Sequence, residues 1–345
     1  MDLNNEITPD TTTETAVETP MQTAFKVSAT ELNKLTESVY LIKREMQKVI
    51  VGQDKTIDLM IIALLTGGHV LMEGMPGIAK TLMAKLLAKT IHVNFNRIQF
   101  TPDLMPTDVV GTSVFNMKTS EFYFSRGPIF SNIVLIDEIN RSPAKTQAAL
   151  FEVMEEQQVT VDGVTHMLDF PFMVLATQNP IEQEGTYKLP EAQLDRFQFR
   201  IMVDYPNLNE EKLILQRFKE DFNQTNVEQV EAVITPVDLK KMKDTIQNIF
   251  IKDELVDYIA KIVVNTRNHP YLFLGASPRA SMAILKSCKA MAAIKGREFV
   301  TPDDIRDVTF EILNHRIILT PEKEMEGFEP KKIIEDIIKE IEIPR

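Results

Sequence analysis

Twelve residues, V-L-M-E-G-M-P-G-I-A-K-T from Val70 to Thr81, constrain this chain more than any other stretch. Val70, Leu71 and Met72 form a short apolar run, which predicts a buried strand. Gly74, Pro76 and Gly77 impose an irregular turn, and beyond Lys80 the apolar residues Leu82, Met83, Leu86, Leu87 and Ile91 recur with a helical period. Strand, glycine-containing loop and helix start, in that order, describe a phosphate cradle. Backbone N–H groups of such a loop point inward, and the helix N-terminus adds partial positive charge. The expected contacts with ATP are Gly74, Met75, Pro76, Gly77, Ile78 and Ala79 along the loop, and Lys80 on the β- and γ-phosphates. Thr81 is expected to hold Mg²⁺ through its hydroxyl. The strict pattern has glycine where this chain has Ala79, a replacement the turn tolerates if φ stays negative. An ordinary strand–turn–helix connection with a coincidental lysine is the alternative, and the motifs downstream argue against it.

The next such motif is Ile133-Val134-Leu135-Ile136, a continuous apolar run typical of a central parallel strand. It ends in Asp137-Glu138. Two adjacent carboxylates at the end of a buried strand need compensation, unless the strand simply ends at the surface. A hydrated Mg²⁺ beside the phosphate loop would supply it, with Asp137 on the metal and Glu138 as the base that polarises a water. Asn179, closing the run Phe172–Ala176, either orients that water or forms a side-chain turn.

The rest of the chain sorts into three parts. Residues 1–28 read as a disordered acidic tail, since the first 24 hold five acidic residues and neither Lys nor Arg. Residues 29–206 form a nucleotide-binding domain. It opens with helices over Ala29–Val49 and Asp54–Leu65, and the break between them, Val51-Gly52-Gln53, is placed on the adenine from its position alone. Strands follow at Phe95–Phe100, ending near the polar Gln99, and at 197–203. Two hairpins are expected, at 112–124 with an exposed tip at Met117–Ser120, and at 159–168 around Asp162-Gly163. Ser142-Pro143 is read as the cap of a helix running to Glu156. Beyond Pro206 strand signals vanish, and residues 207–345 read as a separate helical domain. There Arg279 follows Ser277-Pro278 in the first turn of a helix, where the macrodipole disfavours a cation. It is either a solvent-facing arginine or one that meets an anion.

Taken together, Gly74–Thr81, I-V-L-I-D-E-I-N-R at Ile133–Arg141, A-T-Q-N-P at Ala176–Pro180, L-P-E-A-Q-L-D-R-F at Leu189–Phe197 and G-A-S-P-R-A at Gly275–Ala280 resemble the MoxR family of AAA+ ATPases. The likeness runs from about residue 30 to the C-terminus, and Ala79 is what that family usually shows. It implies an α/β fold, a three-layer αβα sandwich on a central parallel sheet followed by a C-terminal all-helical lid. It implies Lys80 and Thr81 as Walker A, Asp137 and Glu138 as Walker B, and Asn179 as sensor 1. Arg196 matches the arginine finger that completes a neighbour's site, and Arg279 matches sensor 2, reaching the γ-phosphate from the lid. The hairpins match the helix-2 insert and the pre-sensor-1 hairpin that line the pore of a ring. Gln99 matches, more weakly, the polar residue that restrains Glu138. The implied activity is ATP hydrolysis with Mg²⁺ in a homo-oligomeric, hexameric ring that remodels partner proteins, among them von Willebrand factor A domain proteins.

Composition narrows the alternatives. A net charge of −12 argues against a chain that grips nucleic acid through its field, and the hairpin tips are weakly charged, so no nucleic-acid partner is expected. A nucleic-acid motor and a metal-chelatase motor subunit remain the competing readings within the superfamily. A non-hydrolysing scaffold is disfavoured by the intact Asp137, Glu138, Asn179 and Arg196, and a transcription activator by the lack of G-A-F-T-G-A in 112–124. The five histidines lack metal-ligand spacing, so no structural zinc is expected. No run of eighteen apolar residues and no basic-then-apolar N-terminus occur, so neither a membrane span nor a signal peptide is expected, and the cytoplasm is the expected compartment. The single cysteine, Cys288, is read as a small buried hydrophobe.

Overall fold

The computed structural model describes residues 27–179, 187–220 and 227–344. The acidic tail up to residue 26 and Pro180 of A-T-Q-N-P lie outside them.

Five strands form one parallel sheet in the order β2-β5-β8-β1-β9, with β1 at Val70–Glu73, β2 at Phe95–Gln99, β5 at Ile133–Asp137, β8 at Met173–Gln178 and β9 at Phe199–Met202. Alternation along each strand divides the apolar side chains between two faces. Val70, Met72, Ile133, Leu135, Met173 and Leu175 enter one cluster, and Leu71, Val134, Ile136, Val174 and Ala176 enter the other. Helices cover both faces, which is why the three central strands β1, β5 and β8 carry continuous apolar runs, whereas the edge strands β2 and β9 are interrupted by polar residues. The first cluster packs on α1 (Ala29–Gln47), α2 (Asp54–Thr66) and α3 (Lys80–Thr90), and the second on α4 (Pro106–Val110) and α5 (Ala144–Glu156). The central sheet and its two helical layers are those expected of the αβα sandwich.

The hairpins stand where the turn chemistry puts them. Strands β3 (Gly111–Asn116) and β4 (Glu121–Arg126) pair through a turn at which Met117 is 88% exposed. Strands β6 (Gln158–Val161) and β7 (Val164–Met167) are joined by Asp162-Gly163, both at positive φ as a two-residue hairpin turn requires. The two hairpins also meet each other. Phe124 stacks on His166 with ring centroids 4.3 Å apart, and the Ser113 hydroxyl donates to Asp162.

After the short α6 (Glu191–Leu194) and β9, helices α7 (Leu208–Glu220), α8 (Pro236–Gln247), α9 (Asp253–Asn268), α10 (Pro278–Ile294), α11 (Pro302–Leu313), α12 (Pro321–Met325) and α13 (Pro330–Glu340) build the lid. Three expectations need correction here. The lid is not free of strands: β10 (Leu272–Leu274) pairs antiparallel with β11 (Ile318–Leu319), a contact too short and too distant in sequence to leave a periodic signal. Nor is its core separate, because Ile284, Ala292, Ile305 and Val308 join α1 and α2 in the first cluster. Finally, Ser142 does not cap α5. It closes the preceding 3₁₀ turn at Ile139–Arg141, and Pro143 holds the cap position without a side-chain bond.

Candidate nucleotide site

Register brings the site together. Gln99 lies opposite Asp137 across β2 and β5, Ile136 lies opposite Ala176, and Glu73 lies opposite Gln178. The C-terminal ends of four adjacent strands therefore deliver Gln99, Asp137-Glu138, Thr177–Asn179 and the phosphate loop to one edge, the usual ligand position in an open parallel sheet.

The loop turns through two left-handed residues, Gly77 at φ 87° and Ala79 at φ 62°. The expected negative φ at Ala79 is overturned. Ala79 is the residue before α3, and the chain must reverse there to point the first N–H groups of that helix into the loop. At Gly74 a Cβ would lie 2.5 Å from the Val203 carbonyl oxygen, so only glycine lets the loop pack on the end of β9. Lys80 Nζ donates to the Gly74 oxygen at 2.6 Å, folding the lysine back over the loop it serves. Partial burial lowers its pKa below the ordinary value, against the fields of Asp137, Glu73 and Glu138. Thr81 follows, half-buried in the first turn of α3.

Asp137 is held on both oxygens. Oδ1 accepts from the Thr177 hydroxyl at 2.6 Å, and Oδ2 meets Arg97 Nε and Nη2 at 2.8 and 2.7 Å. Thr177 Oγ1 also accepts from the Glu138 N–H at 3.0 Å, so one buried hydroxyl locks both acidic residues. Glu138 adopts φ 57°, ψ 52°, and its Oε2 accepts from Gln99 Nε2 at 2.6 Å and lies 3.3 Å from Arg141 Nε. Asn179 follows β8 directly and is half-buried.

The donors fit Mg²⁺. Among the described residues there is no cluster of three or more His, Cys, Asp or Glu that could cage a metal, and the loop instead offers one hydroxyl, Thr81, and one strand-end carboxylate, Asp137. Mg²⁺ is bound in this way, through one or two hard protein oxygens with water and phosphate completing the shell. That Asp137 already draws the Arg97 guanidinium is consistent with a position made for positive charge.

A cavity of about 450 Å³ adjoins the loop, lined by Val49, Ile50, Val51, Gln53, Pro76–Ala79, Leu82, Tyr205, Ile214, Arg217 and Phe218. Its apolar walls and size suit a purine base. Val51 is among its lining residues. Gly52 instead backs onto α7, where a Cβ would collide with the Glu210 carboxylate. A larger cleft of about 1170 Å³ opens between β9, α11 and α13, but none of the Gly74–Thr81 residues lines it.

Arg196 and Arg279 are brought together elsewhere. Arg196 Nη2 lies 3.0 Å from Glu155 Oε2, Arg279 Nη2 bonds Glu155 Oε1, and Arg196 Nη1 donates to the Phe151 carbonyl at 2.5 Å. Both line a cavity of about 250 Å³ with Asp195, Lys286 and Arg316, and it shares no lining residue with the cavity at the phosphate loop. Arg279 therefore meets an anion, as its place in the helix suggested, but that anion is Glu155, not a group at Lys80. Sequence reasoning missed Arg97, Thr177 and Glu155. The first two were within reach, because Arg97 shares a strand face with Gln99, and Thr177 one with Asn179. Nothing local marks Glu155. Cys288 is buried, and burial pushes its thiol up to about 12, in keeping with its reading as a small hydrophobe.

A parallel sheet with this loop, the paired strand-end carboxylates and a helical lid define a AAA-type nucleotide-binding protein. The sequence pattern of the ATPase family associated with various cellular activities (AAA) matches residues 69–199, and that of the AAA lid domain matches 264–339. Chaperone MoxR1 of Mycobacterium tuberculosis is 40% identical over 92% of this chain and 84% of its own length. The uncharacterized protein YeaC of Bacillus subtilis is 47% identical over 87% of this chain and 92% of its own. The crystal structure of a candidate ATPase from Cytophaga hutchinsonii superposes with a TM-score of 0.85 at 43% identity, over 92% of this chain and 98% of that one. The chain belongs to the MoxR family of AAA+ ATPases. No helix among the described residues is long and apolar enough to cross a membrane.

Proposed function

We propose that the protein hydrolyses ATP in a homo-oligomeric ring, a hexamer, and uses the cycle to remodel or activate partner proteins, von Willebrand factor A domain proteins among them. The observation that carries this reading is the separation of charges. Lys80, Asp137 and Glu138 converge at one strand edge, whereas Arg196 and Arg279 sit on Glu155 in a different cavity. Phosphoryl transfer needs cationic groups around the γ-phosphate. Lys80 is one, but the arginines beside the site, Arg97 and Arg141, are held on Asp137 and Glu138, so a further cation is supplied by another subunit.

In this reading the loop from Gly74 to Ala79 binds the phosphates through its N–H groups, and Lys80 exchanges Gly74 for phosphate oxygen. Thr81 and Asp137 would hold Mg²⁺, which would supply neutralisation of the phosphate charge. Glu138 accepts the proton of the attacking water, and Asn179 orients that water. Gln99 and Arg141 hold the carboxylate of Glu138 until then. Support for a protein client comes from the name chaperone borne by the 40%-identical relative, and from the apolar pair beside the tip of the first hairpin, where Phe115 and Phe122 are exposed with rings 5.1 Å apart. The residues 112–124 and 159–168 would face the pore. The intracellular compartment is the cytoplasm.

Mixed rings test the reading. Arg196→Ala and Lys80→Ala subunits are each expected to be inactive. In a mixed ring an intact Lys80 site can lie beside an intact Arg196, so turnover returns. An inactive mixture in which co-assembly is verified by native mass spectrometry would overturn the assignment of Arg196 to the neighbour.

A further inference from the structure

We propose that Glu155 is the positioning residue that holds Arg196 and Arg279 as a pair for the nucleotide of the adjacent subunit; this rests on the reading of Arg196 above. Glu155 lies in the last turn of α5, exposed, and gives one carboxylate oxygen to each arginine. The two guanidinium groups come from distant places, Arg196 from the segment after α6 and Arg279 from the N-terminal turn of α10 in the lid. Two like charges brought this close repel, and Arg279 is further disfavoured by the dipole of its own helix. One carboxylate between them removes both penalties and fixes their orientation.

A second carboxylate fixes their backbones. Asp195 accepts from the Ser277 hydroxyl, the N-cap of α10, at 2.8 Å and pairs with Arg316 Nε at 2.7 Å. The segment carrying Arg196 is thus tied to the lid helix carrying Arg279, and what remains adjustable is the side chains that Glu155 holds. Around this cavity Arg196, Arg279, Lys286 and Arg316 outnumber Glu155 and Asp195 by two charges, so it attracts an anion. Each guanidinium has five donors, and Glu155 occupies only one edge of each. A terminal phosphate can therefore be met by both arginines with Glu155 still in place. Glu155 touches no nucleotide, and it acts through the arginines.

The test is steady-state ATPase activity of full-length Glu155→Ala and Glu155→Gln proteins beside Arg196→Ala. Glu155→Ala is expected to lower kcat about 10- to 100-fold, with KM for ATP nearly unchanged because the Lys80 cradle is untouched. Glu155→Gln, which keeps shape and loses charge, falls between. The double variant Glu155→Ala/Arg196→Ala is expected to be no slower than Arg196→Ala alone. Mixing Glu155→Ala with Lys80→Ala subunits restores turnover, a recovery that a general loss of stability would not produce. Should Glu155→Ala fail to fold, Glu155→Gln carries the same comparisons. Wild-type kcat in the Glu155 variants beside an inactive Arg196→Ala overturns the role of Glu155 and leaves that of Arg196 standing. Wild-type kcat in Arg196→Ala overturns both. A Glu155 defect that mixing does not relieve, in confirmed mixed rings, makes the residue merely structural and also overturns the proposal.

Discussion

Gln99 Nε2 donates a 2.6 Å hydrogen bond to Glu138 Oε2, across two strands whose ends lie in register. That bond ties the proposed catalytic base to the neighbouring strand. Glu138→Gln keeps an oxygen for Gln99 to bond and loses the base, so ATP binding is expected to persist while turnover falls about 10²- to 10⁴-fold. Lys80→Ala removes a phosphate contact and is expected to lose ATP affinity instead. Calorimetric titration with ATP, set beside phosphate release, separates the two. Equal ATP affinity in Lys80→Ala and wild type would remove Lys80 from the cradle.

Gln99→Ala is expected to raise basal turnover, because it removes one of the two groups that hold the Glu138 carboxylate while leaving the phosphate loop unchanged. A fall in kcat would show that Gln99 orients Glu138 productively, not that it restrains it.

Ala79 sits at φ 62°, ψ 21°, where a non-glycine residue is strained by about 1–2 kcal/mol. Ala79→Gly relieves that strain but frees the unfolded chain by about 0.4–1 kcal/mol. A net stabilisation on the order of 0.5–1 kcal/mol is expected from urea unfolding. Destabilisation would mean that the methyl group packs against something that outweighs the strain.

His69 makes the protein sensitive to mild acid. Its Nδ1 accepts from the Val174 N–H at 3.0 Å, so the proton lies on Nε2, which donates to the Met154 carbonyl at 3.0 Å. Burial pushes its pKa down to about 4. The unfolded chain, near 6.5, takes up a proton that the folded chain refuses, so stability present above pH 6.5 is lost as pH falls toward 4, by up to about 1.4 kcal/mol per pH unit. His315, lowered by burial and by Arg316, acts in the same direction. Unfolding free energies between pH 7 and 4 are expected to slope accordingly, and less steeply in His69→Gln. An unchanged slope in that variant would shift the effect to other groups.

The hairpin turns, Met117–Ser120 and Asp162-Gly163, hold one lysine and one aspartate on a chain of net charge −12. Single- and double-stranded DNA are therefore expected to change ATPase activity by less than about twofold at physiological salt. Strong, salt-sensitive stimulation would instead favour a nucleic-acid motor.

Features written within a few consecutive residues are determined by the sequence alone. The turn and helix start at Gly74–Thr81, the apolar run that delivers Asp137 and Glu138, and the Asp162-Gly163 hairpin depend on local dihedral preferences and on one period. So do the central strands β1, β5 and β8, whose apolar runs mark cover on both faces. The αβα sandwich as a whole is what the motifs together imply through the family they resemble. The tertiary structure alone decided which distant groups meet. Arg279 reaches Glu155 across 124 positions, and the sequence near one partner holds no information about the other. The left-handed turn at Ala79 was equally hidden, since alanine does not favour that conformation and accepts it only where the start of α3 and the loop before it leave no alternative.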